Sequence, residues 1–212
     1  MPLALCELKG CFMKQIIPAI RMLIFMTVLT GIVYPLLVTF VGQVLFEKQA
    51  NGSMALRGDV TVGSWLVAQN FEDPKYFWPR PSSANFNPLP SSGSNQGQIS
   101  ASLKMAVDER KARLKAAHPE MGEPPQDLLF ASGSGLDPDV SPEAARYQLS
   151  RVAKARGMNE VQVKKLIDKI RRDRQFGFFG EPRVNVLALN LALDESQGIK
   201  NSPSGETPPI GE

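Results

Sequence analysis

Ser132 and Ser134, in the glycine-rich stretch ASGSG, are the residues whose type and spacing come closest to nucleophilic chemistry. A serine hydroxyl attacks only when a positioned base removes its proton. The one histidine, His118, precedes Pro119 in a polar, proline-rich stretch, and no lysine lies within 125–139. His118 is expected to be a solvated loop residue. The serines are expected to satisfy backbone groups, with Gly133 and Gly135 supplying unusual backbone angles and Pro138 closing the turn. A second segment, Ser91 to Gly97 (SSGSNQG), could gather N–H groups around an anion, but it lacks the Gly-Lys-Ser/Thr ending of a phosphate-binding loop. Both cysteines, Cys6 and Cys11, precede a long apolar segment, so the rest of the chain has no thiol and one imidazole. That argues against a transition-metal site there. No catalytic residue, metal ligand or resident cofactor is assigned, and the formal charge of +3 comes without any nucleic-acid-binding motif.

The elements that carry these residues begin with an anchor. Met22 to Phe46 holds no charged side chain, and about 25 apolar residues cross a bilayer with some tilt. The segment is longer than the apolar centre of a secretory signal. Residues 1–15 are therefore read as a short cytoplasmic N-terminus and 16–46 as a transmembrane region. Lys9, Lys14 and Arg21 before the span, against Lys48 and Arg57 after it, favour a cytoplasmic N-terminus by a slight margin. Thr27, Gly31, Pro35, Thr39 and Gly42 recur at spacings of three or four, a stripe along which another helix could approach closely. Pro35 is expected to kink the helix or disturb its hydrogen bonds.

Residues 47–194 read as one mixed α/β domain. Gly63 to Phe71 suggests a short helix or strand that buries Trp65, Leu66 and Phe71. The stretch from Asp73 to Gly97 is a long Pro, Ser, Asn and aromatic loop, which packing or a partner must order. Ile99 to Ala117 has the periodicity of an amphipathic helix, with Ile99, Leu103, Ala106, Val107 and Leu114 on one face. Leu128 to Phe130 reads as a short strand. Ser141-Pro142 starts a helix that stops at Gly157, and Asn159 caps a second. Ser141 to Arg174 carries ten Lys or Arg against four Asp or Glu, a basic hairpin that is either a solvated face or a contact for anionic lipid or an acidic partner. Pro182 marks a turn, Val184 to Leu193 alternates like a buried strand closing the sheet, and 195–212 has the composition of a disordered tail. The fold class is α+β: a single N-terminal transmembrane helix followed by one extracytoplasmic domain.

Several motifs in order resemble one family. They are YPLLVT (34–39), QANGS (49–53), RPS (80–82), ASGSGLDP (131–138), SPEAA with RVAKARG (141–157) and GEPRVNVLALNLALD (180–194). Together they are similar to the C subunit of the bacterial high-affinity potassium-transporting Kdp P-type ATPase. The resemblance covers Met13 to Asp194. It departs at Met1 to Phe12, at the tail, at SGSNQG and at Asp139, where a histidine is expected.

The resemblance implies a non-catalytic accessory subunit in a bacterial cytoplasmic membrane. Its implied partners are a channel-like potassium-translocating subunit, a P-type ATP-hydrolysing subunit and a small single-helix subunit, with membrane lipid around the span. It implies no cofactor bound by the chain itself, ATP being met at the level of the complex. The family is described as a chaperone raising nucleotide affinity of the ATP-hydrolysing subunit. A domain outside the membrane cannot touch cytoplasmic ATP, so stabilisation of assembly is the simpler physical expectation. The alternatives are an anchored extracytoplasmic hydrolase using Ser132 or Ser134 and a freestanding anchored binding protein.

Overall fold

In this computed structural model the described residues are 3–58, 60–89 and 91–198, with side chains from Gln15 onward. The chain divides into two units, Met1–Ser53 and Met54–Glu212. The first is helical: α1 (Leu3–Val28), a π-helical segment (Leu29–Val33), α2 (Tyr34–Leu45) and a turn of helix, α3 (Glu47–Ala50). Gln15–Leu45 is long and apolar enough to cross a membrane, and its side chains lie largely exposed. The π segment ends two residues before Pro35, which has no N–H to donate to the carbonyl one turn back. The Tyr34 amide instead reaches five residues back to the Leu29 carbonyl. The helix thus answers its proline by widening one turn.

The second unit is mixed. Strands β1 (Met54–Arg57) and β2 (Val60–Ser64) form an antiparallel hairpin with a register shift between Ala55 and Leu56. A long connection leads to α4 (Ala101–Ala117), then α5 (Gln126–Leu129), β3 (Asp139–Val140), α6 (Pro142–Arg156), α7 (Glu160–Ile170), β4 (Val184–Asn185) and α8 (Val186–Ser196). Strands β3 and β4 pair antiparallel as a second, minimal sheet. The α6–α7 hairpin forms as its caps dictate. The Ser141 hydroxyl accepts from the Ala144 amide at 3.0 Å, Gly157 adopts a left-handed φ of 62°, and Asn159 with Gln162 makes a capping box. The core lies between α6, α7, α8 and the loop, around Phe77, Val152, Val163, Ile167, Leu189 and Leu193, all essentially inaccessible.

Several expectations are corrected. Val184 to Leu193 is not a strand: only Val184–Asn185 pairs in a sheet, and α8 follows. Its Leu and Ala content favours helix, the Asn185 side chain caps it by accepting from the Ala188 amide at 3.0 Å, and burial on several sides explains the apolar run. Leu128 and Leu129 are likewise buried by a short helix rather than a strand. Ile99 lies outside α4 and is fully exposed, whereas Leu114 is buried and Val107 packs on the core. Leu66 is exposed, and Trp65 and Phe71 are half-buried. Gly133 has no positive φ; Gly135 does, at 71°. The helix α8 carries on to Ser196, two residues into the segment expected to be tail, and 199–212 lie outside the described residues.

The two glycine-rich segments noticed in the sequence meet. A Cβ at Gly93 would lie 2.8 Å from the Gly133 carbonyl oxygen, and one at Gly135 would lie 3.2 Å from that of Ser92. The Ser83 hydroxyl donates to the same Ser92 oxygen. Because the obstacle at Gly93 is backbone, Gly93→Ala is expected to destabilise the domain by about 1–3 kcal/mol. Gly97→Ala, where a Cβ meets nothing within 4 Å, should leave stability nearly unchanged. Urea unfolding of the two variants checks this.

Candidate functional site

Among the described residues no strand runs beside Phe77 and Trp78, yet their backbone groups are paired as if one did. The Phe77 amide donates to Asn190 Oδ1 at 2.8 Å, and Asn190 Nδ2 donates to the Phe77 carbonyl at 3.1 Å. One residue on, the Trp78 amide donates to Gln148 Oε1 at 2.8 Å and Gln148 Nε2 donates to the Trp78 carbonyl at 3.1 Å. Gln148 and Asn190 are buried on α6 and α8, so the helix hairpin and the C-terminal helix grip one extended segment through side-chain amides.

Arg151, one turn after Gln148, continues the grip. It donates to the carbonyls of Pro74 and Tyr76, to Gln148 Oε1 and, through Nε, to His118 Nε2 at 3.0 Å, and it stacks 4.0 Å from the centroid of Trp78. Burial pushes its pKa down to about 10, which leaves it charged at neutral pH. His118 is therefore not the solvated loop residue expected from sequence: it is 3% exposed. Its Nε2 must accept from Arg151, so the proton sits on Nδ1 and is donated to the Leu114 carbonyl at 2.8 Å. Its pKa is lowered, first by burial and also by the Arg151 charge, against the opposing pull of the Leu114 carbonyl.

A second node is built on Asp194, near the end of α8. Its Oδ1 accepts from Arg156 at 2.8 Å and its Oδ2 from Arg57 at 2.7 Å and from the Tyr76 hydroxyl at 3.3 Å. Burial raises the Tyr76 pKa, and the neighbouring Asp194 carboxylate raises it further. Arg156 also donates to the Lys75 carbonyl, and its own carbonyl accepts from Gln197. One carboxylate thus ties β1, the loop and α6 to α8.

Ser132 and Ser134 satisfy backbone groups, as expected. Ser134 accepts from the Leu136 amide at 3.1 Å, and Ser132, buried, accepts from that of Asp137 at 3.4 Å. Both ring nitrogens of His118 are already engaged, so the histidine is not free to serve as their base. Pro138 and Pro182 flank the β3–β4 pair, and the Pro138 carbonyl accepts from the Val186 amide at 3.0 Å. Asp139 pairs with Arg183 at 3.0 Å and accepts from Asn185. A cleft of about 540 Å³ beside Trp78 is lined by Arg80, Arg110 and Arg113. These cations are engaged, Arg80 with Asp137, Arg110 with the Leu129 carbonyl and Arg113 over the Trp78 ring.

In the first unit, nothing within 4 Å would meet a Cβ at Gly31 or Gly42. Thr27 lies in α1, Gly31 within the π segment, and Pro35, Thr39 and Gly42 in α2. The proline carried its signal in the sequence. The buried clamp of Gln148 and Asn190 did not, because an amide in an apolar helix pattern does not announce its partner.

Likeness to known proteins decides the family. Residues 16–195 match the family described as K+-transporting ATPase, c chain (KdpC). The chain belongs to that family. It is 51% identical over 181 residues to a potassium-transporting ATPase KdpC subunit of Dechloromonas aromatica, covering 84% of this chain and 95% of that one. It is 50% identical to the Methylococcus capsulatus subunit with the same coverage. To the Geobacter sulfurreducens subunit it is 51% identical over 187 residues, covering 86% and 98%. As a KdpC subunit it is an accessory chain of a membrane transport ATPase and not the catalytic one, and its candidate span makes it a single-pass membrane protein.

Replacing Asp194 by Ala would leave the buried Arg156 without its ion partner, and is expected to cost about 3–5 kcal/mol in urea unfolding. Arg57→Ala should cost less, since that side chain is 24% exposed. For His118 the folded pKa lies below the unfolded value of about 6.5. Its contribution is complete above that value and is lost as pH falls toward the folded pKa. The unfolding midpoint should therefore drop between neutral and mildly acidic pH, and His118→Gln should flatten that dependence.

Proposed function

We propose that this chain stabilises the assembly of an ATP-driven potassium-import complex, with its apolar helix packed among the membrane helices of its partners and its mixed domain held outside the cytoplasmic membrane. The observation that carries the reading is that the KdpC match runs through both units, 16–195, span included. The partners are a channel-like potassium-translocating subunit, a P-type ATP-hydrolysing subunit and a small single-helix subunit. The stripe of Thr27, Gly31, Pro35, Thr39 and Gly42 is the packing face, because small side chains let helix backbones approach and bring dispersion contacts that lipid chains do not match.

The N-terminus is cytoplasmic, in line with Lys9, Lys14 and Arg21 before the span. ATP is then met by the complex and not by this domain. An effect on nucleotide affinity in the ATP-hydrolysing subunit is a coupling transmitted through the helix, and it is bounded by the difference in its packing between two states of that subunit.

Gly31→Leu tests this. In a host starved of potassium, the tagged variant extracted in mild detergent should bring down the other subunits and potassium-stimulated ATPase activity about tenfold less well than the wild type, a loss of roughly 1.4 kcal/mol. Leu37→Phe also adds bulk to the span, but it lies midway between Pro35 and Thr39 in sequence and so on the opposite side of the helix. That control should change nothing. Equal recovery with Gly31→Leu would refute the packing face, and a wild-type chain recovered alone from a host making the other subunits would refute the assembly role.

A further inference from the structure

Between α7 and β4 the chain runs out and back as a narrow hairpin. Arg172 and Arg183 exchange backbone hydrogen bonds at 2.8 and 2.9 Å, and Gln175 and Phe179 exchange two more at 2.9 Å. At the tip, Phe176 and Gly177 hold left-handed backbone, with φ of 52° and 82°. A bulky residue rarely adopts that conformation. The tip exposes three aromatic rings: Phe176 is 87% exposed, Phe178 67% and Phe179 58%, with the last two rings 4.3 Å apart. Isolated exposed apolar residues are ordinary, but three within four residues on a hydrogen-bonded stem form a patch that calls for an apolar surrounding.

The stem and the helix that leads into it are basic. Residues 164–183 carry seven Lys or Arg against three Asp or Glu. Arg171, Arg174 and Arg183 pair with Asp173, Glu181 and Asp139. The Arg172 guanidinium and the exposed ammonium groups of Lys164, Lys165 and Lys169 have no ion partner among the described residues. An apolar tip that follows a basic helix and stem along the chain matches a layer that is apolar at depth and anionic at its surface.

We propose that the 175–180 tip enters the interfacial layer of an anionic bilayer, its phenyl rings at the headgroup–acyl boundary and Arg172 with the α7 lysines on lipid phosphates. The bilayer is preferred to a protein groove because it offers both chemistries over its whole surface, and because an apolar span on the same chain confines the domain to its vicinity. The proposal rests on Gln15–Leu45 being that span.

The test uses the full chain with Cys6→Ser and Cys11→Ser, reconstituted into nanodiscs containing phosphatidylglycerol. An environment-sensitive fluorophore is attached in turn at Phe178→Cys, at Leu36→Cys in the span and at Met105→Cys, an exposed position on α4. The proposal predicts a blue-shifted Phe178 probe that loses emission to spin-labelled lipid, as the Leu36 probe does, while the Met105 probe does not. It also predicts that Arg172→Glu, or a switch to phosphatidylcholine alone, weakens the quenching at Phe178. A Phe178 probe as water-exposed as that at Met105, with Leu36 quenched, overturns the proposal and leaves the span reading intact. Protection of Phe178 only after the other subunits are added overturns it in favour of a protein contact. If Leu36 also escapes quenching, the span reading falls with it.

Discussion

Two side-chain amides in place of a β-strand are the constraint on which the second unit depends. Phe77 is completely buried and Trp78 packs against the core, so their N–H and carbonyl groups cannot turn to water. An unpaired buried amide costs as much as the net gain from a good hydrogen bond, or more. Asn190 and Gln148 each offer one donor and one acceptor at the spacing a strand edge would, and so satisfy four backbone groups with two residues. This makes it possible for a long loop rich in proline and serine to form part of the core.

The charged network follows from the same placement. Once Phe77 is inserted, the carbonyls of Pro74, Lys75 and Tyr76 face α6, where Arg151 and Arg156 meet them. Buried arginines need more than carbonyl dipoles. Arg156 obtains the Asp194 carboxylate, whereas Arg151 is held by four neutral acceptors, the His118 ring nitrogen included, and by the face of Trp78. Around this clamp Tyr76, Phe77, Trp78 and His118 are held in structural contacts, and both ring nitrogens of His118 are engaged, so it is no free base for the serines of the ASGSG turn. The chain belongs to the KdpC family, whose match covers this unit as far as residue 195.

Much of this was legible in the residues, and the exceptions have physical causes. The caps Ser141, Gly157 and Asn159 act within a few residues of themselves, so the α6–α7 hairpin could be read directly. Pro35 is equally local, and its effect on the helix was foreseeable though its π form was not. Val184 to Leu193 misled because a helix buried on several sides loses its polar face, and with it the 3.6-residue signature that separates helix from strand. His118 misled because its burial is decided by Arg151 and Trp78, distant in sequence. The clamp residues were invisible for the same reason: a side chain and a loop far apart in the chain are linked by tertiary contact alone.

If the loop at Phe77 and Trp78 is core structure held by Gln148 and Asn190, native-state hydrogen exchange will show it residue by residue. These two amides should exchange as slowly as those in the middle of α6, and Gln148→Ala should release Trp78 before the helices open. Exchange at Phe77 and Trp78 as fast as at the exposed stretch near Leu89, with α6 still protected, would contradict that role for the clamp.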